Sequence, residues 1–193
     1  MAHDLENLTV ITGGARSGKS LFAEKKAAAH AVKVAYIATM EAITEDPEAI
    51  DRIKRHQSRR PQTWLTVEQP LNAHTAVLAI EDDITVCIFD CLSLYVSNLV
   101  LDRYDQTANA LLLEQKVLDA CQLLLEAIAD KRQTTFYVVT NEVGWGIVPE
   151  NGLARLYRDL LGTTNQLFAQ KAKEVWLSCS GQQIRLKPGQ NQL

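Results

Sequence analysis

The stretch Gly13-Gly14-Ala15-Arg16-Ser17-Gly18-Lys19-Ser20 restricts the fold of this chain more than any other. It matches the pattern GxxxxGK[ST] without a mismatch, directly after the apolar run LTVIT (8–12) and directly before a helical pattern. Strand, glycine-rich loop and helix in that order form a phosphate cradle. The glycines let main-chain N–H groups turn inward around phosphate oxygens, and the helix aims the positive end of its dipole at the same anion. In this reading Lys19 neutralises the β and γ phosphates and Ser20 takes Mg²⁺, so the ligand is a nucleoside triphosphate. The plainer reading is a glycine-rich turn that happens to open a helix; the full eight-residue match in the right context argues against it.

Further β-rich runs alternate with helical patterns along the rest of the chain. The runs are VKVAYIAT (32–39), TWLTVE (63–68), ITVCIFD (84–90), TTFYVVT (134–140) and EVWLSCS (174–180). Several are apolar on both faces, as a strand covered by helices on two sides should be. The pattern predicts an α/β fold of the P-loop NTPase type, a mostly parallel sheet flanked by helices, in a single domain over residues 1–193. Helices are expected within 105–129, where Leu111, Leu112, Leu118, Cys121, Leu125 and Ile128 recur at steps of three and four, from Leu153 to Ala172, and over the polar stretch 47–59. The tail GQQIRLKPGQNQL reads as one edge strand.

Composition narrows the function. With net charge −3 and a pI near 5.8, the chain has no general attraction for polyanions, so nucleic acid is not an expected partner. Cys87, Cys91, Cys121 and Cys179 lie in apolar segments without CxxC pairs, which suits reduced core residues and no structural zinc. MAHDLENLTV lacks the basic and apolar regions of a signal peptide, and no apolar run is long enough for a membrane span. The expected location is the cytoplasm.

A phosphate loop needs an acid on the metal side, commonly an Asp closing a neighbouring apolar strand. TVCIFD supplies Asp90, whose other reading is a cap for the helix starting at CLSLYV. The segment RHQSRRP (55–61) sets His56 among Arg55, Arg59 and Arg60. A neutral imidazole can attack phosphorus to give a phosphoramidate, guanidinium groups can hold the phosphoryl oxygens and leaving pyrophosphate, and the same cations lower the imidazole pKa. A solvated basic helix face with an incidental histidine fits the bare residues as well. His3, His30 and His74 lack such company and read as terminal, helix or loop surface.

TGGARSGKS, YIAT, RIKRHQSRRPQTW, VTNEVGWGIVPEN and LARLYRDLLGTTNQ, in this order, resemble the bifunctional adenosylcobinamide kinase / adenosylcobinamide-phosphate guanylyltransferase family of cobalamin biosynthesis. The resemblance runs from about residue 7 to 186. It implies phosphorylation of the adenosylcobinamide hydroxyl by ATP or GTP, then transfer of GMP from GTP through an enzyme histidine to give adenosylcobinamide-GDP. By position, that histidine is His56. Catalysis would fall to His56, Lys19 and Arg60. GTP contacts would fall on Gly13, Gly14, Ala15, Arg16, Ser17, Gly18, Lys19 and Ser20, on Ala38, Thr39 and Met40, on Gln57, Ser58, Arg59 and Arg60, and on Glu68 and Asp90; Mg²⁺ would fall to Ser20 and Asp90. Asp90 stands where the family often has Glu, Met40 where a small polar residue is usual, and the first residues of QSRR also vary from the pattern.

The resemblance further implies a corrinoid substrate and a homotrimer with active sites between subunits. In TNEVGWGIVPEN, Trp145 can cover a flat ligand or pack inward, and Arg155 and Arg158 on the next helix can reach phosphate, a neighbouring subunit or only solvent. A P-loop small-molecule kinase in which His56 only binds is the first alternative, and a phosphate-loop NTPase using KRHQSRR as a nucleic-acid patch is the second. The loop grips phosphates and not the base, so sequence leaves the kinase donor open between ATP and GTP, and it does not locate the corrinoid pocket.

Overall fold

The computed structural model describes residues 4–31, 33–40, 58, 60–104 and 110–187. Its strands are β1 (Leu5–Gly13), β2 (Val34–Ala38), β3 (Leu65–Glu68), β4 (Val86–Asp90), β5 (Thr135–Val139), β6 (Ala172–Cys179) and β7 (Gln182–Lys187). The helices are α1 (Lys19–His30), α2 (Ala73–Leu78), α3 (Leu92–Tyr104), α4 (Ala110–Asp130) and α5 (Gly152–Lys171). The strands join in one sheet of order β3-β2-β4-β5-β1-β6-β7, parallel throughout except for the antiparallel edge strand β7. This is the expected mostly parallel sheet, with the expected edge strand at the end of the chain.

Period-two alternation divides the core between two faces. Val10, Ala35, Ile37, Cys87, Phe89, Phe136 and Val138 point to one side, where they meet side chains of α2, α3, α4 and α5. Ile11, Val34, Tyr36, Val86, Ile88, Tyr137 and Val139 point to the other, where α1 contributes Ala23 and Ala27. The central strands β2, β4 and β5 are buried almost end to end, whereas edge strand β3 is mostly exposed. That burial explains why the central runs read as continuously apolar.

Several boundaries move for local reasons. β3 begins at Leu65 because Pro61–Trp64 form a turn closed by the Trp64 N–H on the Pro61 carbonyl at 3.0 Å. β6 starts directly after α5, at Ala172, without an intervening loop. In α4 the buried stripe is Leu113, Val117, Ala120, Cys121, Leu124, Leu125 and Ile128; Leu111 and Leu112 are exposed, contrary to the expected stripe. The runs Leu111–Leu113 and Leu123–Leu125 suit more than one helical phase, and packing selects one. Cys87 and Cys121 are core residues, but Cys91 is half-buried and Cys179 is exposed at the end of β6, so the expectation of four core cysteines holds for two. His74 is on α2 and half-buried rather than a surface residue, its Nδ1 enclosed without a hydrogen-bond partner among the described residues. His30 is exposed at the end of α1, as expected. Of the helix expected over 47–59 only Ser58 is described, and it is helical. His3 and the rest of that stretch, including His56, lie outside the described residues.

Candidate functional site

The phosphate loop joins β1 to α1 at the carboxyl end of the sheet, where ligand sites of parallel α/β proteins gather. Its shape is fixed by main chain. Gly13 ends β1 with φ at 145°, and a Cβ there would come within 2.2 Å of the Ser178 carbonyl oxygen on β6. Arg16 is left-handed (φ 57°), as is Gly18 (φ 100°). The Ser17 N–H closes a turn on the Gly14 carbonyl at 3.3 Å. Two other segments hold the loop from outside: the Glu142 N–H donates to the Gly13 carbonyl and the Gly181 N–H donates to the Ser17 carbonyl, each at 3.0 Å.

Gly14, Ala15 and Arg16 are exposed, Ser17 is buried, and Gly18 and Ser20 are half-buried. Lys19 is buried, its ammonium folded back over the loop to donate to the Gly14 carbonyl at 2.5 Å and the Ser17 Oγ at 3.5 Å. The eight residues of the motif therefore form one compact cradle with a cation in it. The Lys19 charge also acts on the Cys91 thiol, directly after Asp90, opposing the upward push of burial and of the Asp90 carboxylate. The loop and the end of β4 thus share an electrostatic environment.

A second cluster lies at the ends of β2, β3 and β4. Ala38 is in register with Glu68 on one side and Asp90 on the other, which brings three expected site positions into one row. Glu68 is exposed and Asp90 half-buried. Thr39 is fully buried; its hydroxyl donates to the Cys91 carbonyl and accepts from the Cys91 N–H, both at 2.9 Å, so it ties β2 to β4. Met40 follows, half-buried. The Asp90 carboxylate accepts the Tyr36 hydroxyl, while the first turn of α3 closes with the Tyr95 N–H on the Cys91 carbonyl, which puts Cys91 rather than Asp90 at the head of that helix.

Arg60 is the described end of the basic segment. Its guanidinium carbon lies 3.3 Å from the centroid of the Tyr36 ring, a stacked cation–π contact, and its Nη1 reaches the Thr66 Oγ1 on β3 at 3.5 Å. Arg60 Nε is enclosed without a partner among the described residues. Ser58 is exposed, and His56, Gln57 and Arg59 lie outside the described residues. Burial first, then the Asp90 charge, hold the Tyr36 phenol well above its ordinary range, with Arg60 opposing, so this hydroxyl keeps its proton as a donor.

Residues 141–151 leave the end of β5 beside the phosphate loop. Asn165 on α5 accepts from the Thr140 hydroxyl at 2.7 Å and donates to the Asn141 carbonyl at 3.0 Å. Arg158 donates to the Gly144 carbonyl at 3.0 Å, and Arg155 to the carbonyls of Pro149 and Glu150 at 2.9 and 2.6 Å. Both arginines therefore brace this loop. Between those anchors Trp145, Ile147 and Val148 project outward at 77%, 96% and 60% exposure, so Trp145 does not pack inward.

Sequence reasoning missed Tyr36, Asn165 and Gly181. Tyr36 reads only as one apolar residue in a buried strand, and neither of the others carries a local signal for its distant partner.

Among the described residues no three His, Cys, Asp or Glu side chains cluster as a metal site, and no helix is long and apolar enough to cross a membrane. Ser20 and Asp90 offer a hydroxyl and a carboxylate with one oxygen engaged by Tyr36. Such a sparse, hard-oxygen donor set fits Mg²⁺, which keeps most of its waters and takes phosphate oxygens.

Residues 9–186 match the family model described as cobinamide kinase / cobinamide phosphate guanyltransferase. The bifunctional adenosylcobalamin biosynthesis protein CobU of Salmonella typhimurium is 37% identical over 188 residues, covering 93% of this chain and 99% of that protein. The CobU protein of Escherichia coli K12 gives the same identity and coverage. The corresponding CobP of Pseudomonas aeruginosa is 37% identical over 179 residues, covering 92% of this chain and 96% of its own. Among solved structures, a prototypical ATPase from the type III secretion system of pathogenic bacteria superposes with a TM-score of 0.52 at 9% identity, over 88% of this chain and 50% of that one. At that identity the likeness speaks for the fold alone.

Proposed function

This chain belongs to the cobinamide kinase / cobinamide phosphate guanyltransferase family, and we propose that it carries out both reactions of its bifunctional relatives. In the first, ATP or GTP phosphorylates the hydroxyl on the side arm of adenosylcobinamide. In the second, the His56 imidazole nitrogen attacks the α-phosphorus of GTP: an N–P bond forms, the P–O bond to the β-phosphate breaks, and pyrophosphate leaves with that electron pair. A phosphate oxygen of the corrinoid then displaces the histidine, forming adenosylcobinamide-GDP and restoring the free imidazole.

The observation that carries this reading is the position of Arg60. Four residues beyond His56 in the sequence, it lies stacked on Tyr36, whose hydroxyl meets Asp90 at the end of β4, the same end of the sheet as the phosphate cradle. Main-chain N–H groups of residues 13–20 bind the phosphates and Lys19 neutralises them. Arg60 supports the charge that develops during nucleotidyl transfer, through a guanidinium whose enclosed Nε lacks a protein partner among the described residues. Ser20 and Asp90 would hold Mg²⁺, which when bound offsets phosphate charge. Ala38, Thr39, Met40 and Glu68 line the approach to the nucleotide; the Thr39 hydroxyl, N–H and carbonyl are all bonded within the protein, so Thr39 serves by holding β2 against β4.

The outward face of Trp145, Ile147 and Val148 supports an apolar approach for the flat corrinoid, since that loop begins at Glu142 against the phosphate loop. The working unit is a single-domain subunit in a cytoplasmic homotrimer, a reading that rests on the family resemblance.

Incubation with GTP carrying radioactive α-phosphate, followed by denaturation, tests the proposal. Label that stays with the protein, resists base, is released by acid and disappears in His56→Ala is the expected result. A protein that phosphorylates adenosylcobinamide but never takes label would be a kinase alone.

A further inference from the structure

We propose that Tyr36 is a positioning residue that couples Arg60 to the acid at the end of β4. The inference rests on the bifunctional reading for its catalytic meaning but on geometry for its substance. A polar chain crosses three adjacent strands here: the Thr66 hydroxyl on β3 meets Arg60 Nη1 at 3.5 Å, the Arg60 guanidinium lies 3.3 Å above the Tyr36 ring on β2, and the Tyr36 hydroxyl donates to Asp90 Oδ2 on β4. Tyr36 is 1% exposed, on the α1 side of the sheet with Val86, Ile88 and Val139, so its ring has no room to turn away. One side chain therefore does two jobs. Its face is the floor under the guanidinium, and its edge holds one carboxylate oxygen of Asp90. A shift of either group is felt by the other through a rigid ring.

The two jobs can be separated by substitution. Tyr36→Phe keeps the floor and removes the donor; Tyr36→Leu removes both. GTP affinity is measured by calorimetry with and without Mg²⁺, and covalent labelling from α-phosphate-labelled GTP is measured at saturating nucleotide. For Tyr36→Phe the gain in GTP affinity that Mg²⁺ brings falls about five- to tenfold, as expected for loss of a hydrogen bond to a charged group, while affinity without Mg²⁺ stays within about twofold. Tyr36→Leu loses the Mg²⁺-dependent gain and also labels slowly, like Arg60→Ala. Coupling is read from a double-mutant cycle: Arg60→Ala alters the Mg²⁺-dependent affinity in the parent protein but not in Tyr36→Phe.

Two results overturn the proposal. One is a Tyr36→Phe protein with unchanged Mg²⁺-dependent affinity. The other is a uniform loss of affinity and labelling that follows a fall in melting temperature, as a purely structural tyrosine gives. Should the parent protein take no label, the guanylyl-transfer reading fails, and the calorimetric cycle still decides whether Tyr36 couples Arg60 to Asp90.

Discussion

The two halves of the candidate site are built in different ways. Around β1 the phosphate loop is shaped by main chain: positive φ at Gly13, Arg16 and Gly18, and N–H donors from Glu142 and Gly181 holding its carbonyls. Around β2, β3 and β4 the site is shaped by side chains that converge from distant positions: Thr66, Arg60, Tyr36, Asp90 and Thr39. Main-chain architecture tolerates many side chains but few changes of backbone. Side-chain architecture has the opposite weakness: one atom removed breaks a link while the fold survives.

The largest expected effect is on the main-chain half. Gly13→Ala puts a methyl group 2.2 Å from the Ser178 carbonyl in a backbone conformation that alanine resists, and should cost about 3 kcal/mol of stability together with nucleotide binding. Thermal melts with and without GTP check this; an alanine protein that melts normally and binds GTP would remove the contrast. Next, Arg60→Ala should slow covalent labelling about a hundredfold, the usual loss for a group that supports developing charge, with little change in melting temperature. A matching fall in stability would assign Arg60 to the fold instead.

Asn165→Leu tests the seam between the halves. It leaves the buried Thr140 hydroxyl and the Asn141 carbonyl without their partners, and should cost about 2 kcal/mol in denaturant melts while weakening GTP binding a few-fold, because Asn141 leads into the Glu142 N–H on Gly13. Trp145→Ala should have the smallest effect on stability, within about 0.5 kcal/mol for so exposed a residue, and should raise the KM for adenosylcobinamide without altering that for GTP. Steady-state kinetics with each substrate varied in turn reads the difference.

Alkaline pH probes the core beneath both halves. Burial pushes the Cys121 thiol from 9.0 up to about 12, and the Tyr95 and Tyr157 hydroxyls from 10.0 up to about 12. The folded state keeps these protons where the unfolded chain loses them. Their effect is therefore nil below pH 9, and stability falls progressively between pH 9 and 12. Urea melts at pH 8, 9.5 and 10.5 should show midpoints falling in that order, and a flat series would contradict the burial.

The same contrast explains what could be read from the sequence. The phosphate loop is contiguous, so its pattern is visible in eight residues, and the central strands announce themselves because both faces are buried. Asp90 was reachable too, as the acid closing an apolar strand. Tyr36 was not, because in VKVAYIAT it is one more core side chain until folding lays Arg60 across its face. In α4 clustered leucines satisfy several helical registers, and tertiary packing buries Cys121, Leu125 and Ile128 as expected but leaves Leu111 and Leu112 exposed. Helix α2 is short, and its six residues offer too few turns for a periodicity to show. What the sequence hides is the long-range side-chain pairing, which no local pattern encodes.

The hydrogen bond from Gly181 to Ser17 has a consequence for synthesis. The phosphate loop precedes its neighbours in the chain: β1 lies between β5 and β6, and the turn that holds Ser17 follows β6. A nascent chain carries the full phosphate-binding motif long before it has the strands that set its shape. A chain cut short before residue 181 lacks the N–H that holds the Ser17 carbonyl, and with it part of the frame of the phosphate loop.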